Sequence, residues 1–359
     1  MRPGRYWYED GEENRISRWR FVPQVLLSLP YAMAARLHRF AYEKGWMDRR
    51  NLPCSVVSVG SITVGGSGKT PLAAAIAVGL RKRGSRSALG SRGYGRVRND
   101  GVTPVSDGRR LLGRVEQRGD EPVVLAASAP GVPVVVADDR GLAGLRAVSL
   151  YDTEVLVLDD GFQHHRLARD VEIVVFDGDA GLGNGRLLPR GPLRESLSVL
   201  GRADAVVVID GPLRTIDEER IAKGGVNGRR FTAHRRVRCV TPLAGEGIES
   251  PASLQGESVG LLSGLGLPGG FRRTVEALGA RVVAERRFPD HHVYRPRDLV
   301  GLEAECPTWL TTEKDAVKIL PSWGGAERLR VVRTTLEFEE ESGFFAWLAD
   351  HLSAKNSVS

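Results

Sequence analysis

Long apolar stretches are missing from this chain of 359 residues. No run of about 18 uninterrupted hydrophobic residues occurs, which excludes an ordinary membrane-spanning helix. Cysteine is scarce, with Cys54, Cys239 and Cys306 far apart. Their spacing fits neither a disulfide framework nor a zinc site, so they read as plain thiols of a reducing cytoplasm. Aromatic residues make up only 6 % and no nucleic-acid recognition motif accompanies the positive charge, which argues against a nucleic-acid partner. No internal repeat and no low-complexity tract is visible. The first apolar stretch starts about twenty residues in and lacks a small-x-small cleavage site, so a secretory signal is not expected.

What remains is a soluble, globular composition: charged residues at 26 % and a mean hydropathy of −0.20. The formal charge is +7, and residues 1–50 hold ten Lys/Arg against six Asp/Glu. A basic end of this kind suits an anionic surface. Beside it, residues 21–46 combine aliphatic, aromatic and basic side chains. From Pro30 onward Tyr31, Ala34, Ala35, Leu37, Phe40 and Ala41 fall near one helical face, with Arg36, Arg39, Glu43 and Lys44 on the rest, and Gly45 supplies a stop. Too interrupted to span, the segment predicts an amphipathic helix lying in a membrane interface.

The sharpest signal is Gly60-Ser-Ile-Thr-Val-Gly-Gly-Ser-Gly-Lys-Thr70, directly after the apolar run Val56–Val59. A strand, a glycine-rich loop and Lys-Thr opening a helix make a P-loop. Residues Thr63, Val64, Gly65, Gly66, Ser67 and Gly68 would cradle polyphosphate with backbone N–H groups. Lys69 would reach the β/γ-phosphates, and the Thr70 hydroxyl would face Mg²⁺. Thr63 stands where the full pattern has glycine, and Gly65 with Gly66 are expected to supply the backbone freedom.

Continuous Val/Ile/Leu runs recur at 55–59, 87–89, 132–137, 154–158, 172–176 and 205–209. Such runs are expected of parallel strands covered on both faces, hence of a doubly wound α/β domain with the P-loop on its first strand. A second series at 259–262, 281–284, 309–311 and 330–332 predicts a second, smaller α/β domain. The organisation expected is an extension (1–20), an interfacial helix (21–46), a P-loop kinase domain (47–224) and a C-terminal domain (225–359). The Gly-rich, charged 210–227 stretch reads as a hinge.

Asp159-Asp160 follow the run Val155–Leu158, at the strand tip where such folds place the carboxylate that holds Mg²⁺. Gly119-Asp120-Glu121-Pro122 is a second acidic cluster that by itself reads as a helix cap. Arginines cluster in Ser91–Arg96, Asp138–Arg140 and Leu187–Glu195, each just beyond a strand. Converging there, they would suit an anionic substrate, because the guanidinium fork grips phosphate.

With Ser91-Arg-Gly-Tyr-Gly95, Asp159-Asp-Gly-Phe-Gln-His164, Gly183-Asn-Gly-Arg-Leu-Leu-Pro-Arg-Gly-Pro-Leu-Arg-Glu195, Phe288-Pro-Asp-His291 and Leu310–Lys318 added, the chain strongly resembles the tetraacyldisaccharide 4′-kinases of lipid A biosynthesis. The resemblance runs in order from about residue 24 to about 350, and the family shares the Thr63 departure. It implies ATP as cofactor with Mg²⁺ held by Thr70, Asp159, Asp160 and Glu121. It also implies Asp120 as base toward the sugar hydroxyl, oriented by His291 from the second domain, with Lys69 on the phosphates. Tyr94, Arg140 and Arg194 would contact a lipid A disaccharide 1-phosphate, at the cytoplasmic face of the bacterial inner membrane, with no protein partner implied. A P-loop switch or targeting GTPase is the alternative, disfavoured because no Asn-Lys-x-Asp guanine-reading motif occurs.

Overall fold

The strands read from the first series of apolar runs do end up buried on both faces, whereas the run at 281–284 forms a strand with no buried residue. In the computed structural model residues 44–93, 101–112, 119–226, 228–265, 268–290 and 292–356 are described, with 33, 36, 37 and 39–42. In chain order the strands are β1 (Ser55–Gly60), β2 (Ser87–Ser91), β3 (Thr103–Asp107), β4 (Pro133–Val136), β5 (Val155–Asp159), β6 (Val171–Asp177) and β7 (Ala205–Ile209). They continue with β8 (Arg229–Pro242), β9 (Ser258–Ser263), β10 (Arg281–Arg287), β11 (Trp309–Thr312) and β12 (Leu329–Phe338). The helices used below are α1 (Lys69–Lys82), α2 (Asp120–Ser128), α3 (Arg140–Tyr151), α4 (Thr215–Lys223), α5 (Pro268–Ala277) and α6 (Glu341–Asn356).

All twelve strands join one sheet, in the order β10-β9-β11-β12-β8-β7-β6-β1-β5-β2-β4-β3. Pairing is parallel except at β3 with β4 and at β8 with β12. The P-loop half and the C-terminal half therefore share a single hydrogen-bonded sheet, with β8 as the seam. Its first five residues pair with β7 (Ala205 opposite Arg229, Ile209 opposite Ala233). Beyond Ala233 it leaves β7 and pairs with β12, with one further bridge from Val240 to Glu249. The 210–227 stretch, expected as a hinge, folds in part into α4.

Helix α1 buries Leu72, Ala73, Ala74, Ile76, Ala77 and Leu80, against a face that includes Val57, Val59 and Val157. The small alanines bring the helix close to the strands. The last helix, α6, returns to this same core with Phe344, Phe345, Trp347, Leu348 and Leu352. A Cβ on Gly79 of α1 would lie 2.0 Å from Phe345 Cζ, so the glycine there is a packing requirement. The C-terminal half has its own core, with Trp309 fully buried among Leu262, Tyr294, Leu299 and Ile319. No helix among the described residues is long and apolar enough to cross a membrane.

Candidate active site

Strands β1 and β5 run side by side, Val59 opposite Asp159, so the chain leaves both at the same edge of the sheet. From β1 the P-loop passes into α1, whose N-cap is Gly68 with φ 82°. A Cβ at Gly68 would lie 2.5 Å from Ile209 Cδ1, so both the backbone conformation and the space demand glycine. The first turn of α1 holds no acidic residue, which leaves its N–H groups and dipole open to an anion.

Thr63 needs no glycine's freedom, because the loop enters extended. Thr63 bridges to Leu193, the Val64 N–H donates to Pro192 O at 2.8 Å and the Arg194 N–H donates to Ile62 O at 2.7 Å. The Thr63 and Ser61 hydroxyls share a hydrogen bond of 2.9 Å. Positive φ falls at Gly65 and Gly68. The expectation that Gly66 supplies freedom is corrected accordingly.

Asp159, 8 % exposed, accepts a hydrogen bond of 2.9 Å from Thr70 Oγ1 on Oδ2. Its Oδ1 is buried with no hydrogen-bond partner among the described residues. Burial first, and then the charge of Asp160, push this carboxyl up to about 6. Asp160 has left-handed backbone, φ 54°. Arg194 Nη1 donates to both of its oxygens, at 3.1 and 3.0 Å, and Lys69 Nζ lies 3.9 Å away. Burial would raise the Asp160 pKa, but Lys69 and Arg194 outweigh it and hold the group below the usual carboxylate range. Burial lowers the Lys69 pKa, with Asp160 opposing.

The three arginine clusters do meet at this edge. Arg92 and Arg140 are electrostatic neighbours, and Arg140 feels both Asp160 and Asp159. Burial, then Arg92, pull the Arg140 guanidinium below its ordinary value. Glu121, half-buried on the first turn of α2, interacts electrostatically with Lys69 and Asp159. Lys69, Thr70, Glu121, Arg140, Asp159, Asp160 and Arg194 are thus brought together. The Asp120 side chain, Tyr94 and His291 lie outside the described residues. Around His291, Lys314 Nζ donates to Asp290 Oδ1 at 2.7 Å and His292 is hydrogen-bonded to Asp298 at 2.9 Å. Lys314 belongs to the helical turn Glu313–Ala316, against which α2 packs.

Sequence reasoning gave no role to Gln163 or His164. Gln163 Nε2 donates to Ser61 O at 3.0 Å and its Oε1 accepts from Arg194 at 3.4 Å, tying the acidic turn to the P-loop. His164 is pushed down to about 4 by burial and then by Arg140, and its Nε2 is buried without a hydrogen-bond partner among the described residues. The signal was their place in the Asp-Asp-Gly-Phe-Gln-His block.

Of the 21–46 segment, most falls outside the described residues. Met33, Arg36, Leu37 and 39–42 are helical, and Gly45 has φ 70°, consistent with a helix stop there. Met33, Leu37 and Trp46 are 64, 61 and 75 % exposed. Tyr42 is buried, its ring centroid 6.1 Å from that of His165.

An arrangement of polyphosphate loop, cation-binding oxygens and convergent arginines can hold a nucleotide and neutralise a transferring phosphoryl group. A family model described as tetraacyldisaccharide-1-P 4′-kinase matches residues 22–353. A tetraacyldisaccharide 4′-kinase of Anaeromyxobacter sp. (strain Fw109-5) is 40 % identical over 351 residues, 94 % of this chain and 93 % of that protein. Another, from Geobacter sulfurreducens, is 38 % identical over 319 residues, 87 % of this chain and 88 % of its own length. Among solved structures, the crystal structure of LpxK from Aquifex aeolicus in complex with ATP superposes with a TM-score of 0.73 at 32 % identity, covering 93 % of this chain and 99 % of that one.

Proposed function

Because the chain belongs to the tetraacyldisaccharide-1-P 4′-kinase family, we propose a division of labour among the residues of its site. The protein is an ATP-dependent lipid kinase that transfers a phosphoryl group to the 4′-hydroxyl of tetraacyldisaccharide 1-phosphate in lipid A biosynthesis. The P-loop N–H groups and the α1 dipole hold the ATP phosphates, and Lys69 offsets charge on the γ-phosphoryl oxygens.

One observation carries the metal assignment: Thr70 donates into one oxygen of Asp159 while the other oxygen is buried without a hydrogen bond among the described residues. Oxygen donors of this kind fit a hard cation that keeps several waters and the substrate phosphates as its remaining ligands. No group of three or more His, Cys, Asp or Glu that could hold a metal occurs among the described residues, and such a site does not need one. Thr70 and Asp159 would hold Mg²⁺, with Glu121 beside them, and the ion would supply charge neutralisation on the phosphates. Asp160 sits between Lys69 and Arg194, so its part is to align those two cations.

Asp120, at the start of α2, takes the proton of the sugar hydroxyl late in a loose transition state, and His291 orients it. Support comes from α2 packing on the turn that carries Lys314, which anchors the neighbouring Asp290. Arg140 and Arg194, with Tyr94, contact the phosphorylated disaccharide. We place the pivot between the two halves in the β8–β12 ribbon beyond Ala233, where β8 leaves β7 and continues against β12. The exposed Met33, Leu37 and Trp46 beside Arg36 would rest on the cytoplasmic face of the inner membrane, where the acyl chains of the substrate stay.

Radiolabelled transfer from ATP to the lipid acceptor in mixed micelles tests the assignment. Asp159→Asn should raise the Mg²⁺ concentration needed for half-maximal turnover at least tenfold. An unchanged Mg²⁺ requirement would remove Asp159 from the metal.

A further inference from the structure

Two arginines outside the site, Arg169 with a buried side chain and Arg202 with a mostly buried one, grip the loop that carries its acidic pair. Arg169 Nη1 donates to Gly161 O at 3.2 Å and to Phe162 O at 3.0 Å. Arg202 Nη2 donates to Phe162 O at 2.7 Å, and its guanidinium carbon lies 3.9 Å from the Phe162 ring centroid. Glu172 on β6 joins the two: Arg169 Nη2 is 2.8 Å from Oε1, and Arg202 Nε is 3.0 Å from Oε2. The Arg169 side chain is 3 % exposed. Arg202 then reaches the other loop of the site, with Nη2 3.6 Å from Oε1 of Glu195, itself 7 % exposed. Glu195 follows Arg194 in the chain. The Glu172 backbone N–H donates to Asp204 Oδ2 at 2.7 Å, which pins the group from below.

The consequence lies in the geometry of the acidic turn. Asp160 is held in left-handed backbone, a conformation that costs a non-glycine residue free energy unless its surroundings enforce it. The next residue is glycine by necessity, because a Cβ on Gly161 would lie 2.6 Å from Ser58 Oγ. Phe162 is fully buried and the Gly161 N–H donates to Val59 O at 3.0 Å; to these anchors the two arginines add a grip on two carbonyls in succession. Their fork geometry matters: one guanidinium meets a carboxylate and a carbonyl at once, which a lysine ammonium on the same stem does not reproduce.

We propose that Arg169, Arg202, Glu172 and Glu195 form a clamp that sets the Asp160–Arg194 pair for phosphoryl transfer, acting as positioning residues that touch neither nucleotide nor lipid. The clamp links the acidic turn after β5 to the arginine loop after β6, so the two are held in one register beside the P-loop to which both are hydrogen-bonded. It rests on the reading of Arg194 as a substrate contact.

Glu195→Gln keeps shape and volume, and Arg202→Lys keeps charge but loses the fork. In the full-length enzyme each should lower kcat/KM for the lipid acceptor at least tenfold while leaving KM for ATP within about twofold, and Glu195→Gln should leave the melting temperature nearly unchanged. In an Arg194→Ala background, Glu195→Gln should change the rate less than twofold, because the clamp then has nothing left to set. Independent, multiplying losses would overturn the clamp while leaving Arg194 in the site. A lowered melting temperature with unaltered kinetics would make the network merely structural. Full activity of Arg194→Ala would remove the site reading and the clamp with it. Should Arg202→Lys fail to fold, Glu195→Gln and its cycle decide alone.

Discussion

The strands on either side of the β8 seam are alike in pairing and unlike in what they carry. In the P-loop half β1, β2, β4, β5 and β7 are buried from end to end, and charge is confined to their C-terminal tips. There Lys69, Asp159, Asp160, Arg140 and Arg194 share one edge. In the C-terminal half β10 has only exposed and half-buried residues, and ion pairs such as Arg286 with Glu305 and Arg287 with Glu285 lie along it. Concentrating cations and carboxylates in one desolvated place creates a site that can stabilise developing charge. Spreading them over a solvated face contributes little beyond solubility. Under the proposed roles the C-terminal half would contribute to the chemistry by one loop, 288–292, in which Asp290 is bonded to Lys314 and His292 to Asp298.

The largest effects should therefore fall in the P-loop half. Lys69→Ala and Thr70→Ala should each lower turnover by about 10³-fold or more, given that one charge-stabilising group is commonly worth ~10²–10³. The melting temperature should hold, which circular dichroism would check. Retained activity in both variants would move the site elsewhere. Next in size are the substitutions that test the bridge between halves. Asp120→Ala and His291→Ala should each lower kcat by about 10²–10⁴-fold, the usual span for general-base catalysis, with KM for ATP little changed. Their double variant should lose far less than the product, because the two act as a unit. If His291→Ala kept full kcat, the C-terminal half would have no part in the chemistry.

What could be read from the chain before folding follows the same division. The buried strands and the P-loop were legible because parallel strands covered on both faces need unbroken apolar runs, and a phosphate loop needs glycine at fixed places. β8 was not: Arg229-Arg-Phe-Thr-Ala-His-Arg-Arg-Val-Arg reads as charged loop, since its side chains are half-exposed and its order comes from pairing with β7 and β12. β3, with a buried Val105 and Ser106 between polar neighbours, was hidden for the same reason. The return of α6 to the first core depends on Gly79 facing Phe345, a contact between residues 266 positions apart in the chain. In the site, residue types announced Lys69, Thr70 and the Asp pair. That Asp160 faces arginine and lysine, while Asp159 keeps one oxygen without a hydrogen bond among the described residues, goes with the left-handed backbone of Asp160.

Two glycines offer a structural comparison of the halves. A Cβ at Gly260 of β9 would lie 2.5 Å from Trp309 Cδ2. That ring is fixed by hydrogen bonds from Nε1 to Leu302 O and Cys306 O, at 2.9 and 3.0 Å. Gly260→Ala should cost about 1–3 kcal/mol, as overpacking of a core does. Gly79→Ala would bring its Cβ closer still, 2.0 Å from Phe345 Cζ. That atom, however, is the far end of a ring on the last helix that can shift, and the alanine gains back about 1 kcal/mol of helix propensity. It should therefore be the milder of the two. Because one sheet runs through both halves, each variant should lower a single unfolding transition in calorimetry. Two separated transitions, with Gly260→Ala moving one alone, would show that the β8 seam does not couple the halves.

The smallest expected effect separates two histidines. His292, in the C-terminal half, has Asp298 as partner at 2.9 Å and stacks on Phe288 with centroids 4.4 Å apart. His164, in the P-loop half, has a buried Nε2 without a hydrogen bond among the described residues and sits near Arg140. Burial, then that positive neighbour, lower its pKa from 6.5 to about 4. A histidine depressed on folding binds its proton more weakly in the folded than in the unfolded state. Its stabilising contribution is therefore fully present above the unfolded value and is lost as pH falls from 6.5 toward about 4. The ring is partly open to water, so the loss should be about 1–2 kcal/mol after screening, below what the full shift implies. Urea melts of the wild type and His164→Gln at pH 7 and pH 4.5 would measure it, with the wild type losing more stability on acidification than the variant. Equal losses would mean that His164 takes up its proton as readily in the folded protein as in the unfolded chain, and that acid sensitivity in this half arises elsewhere.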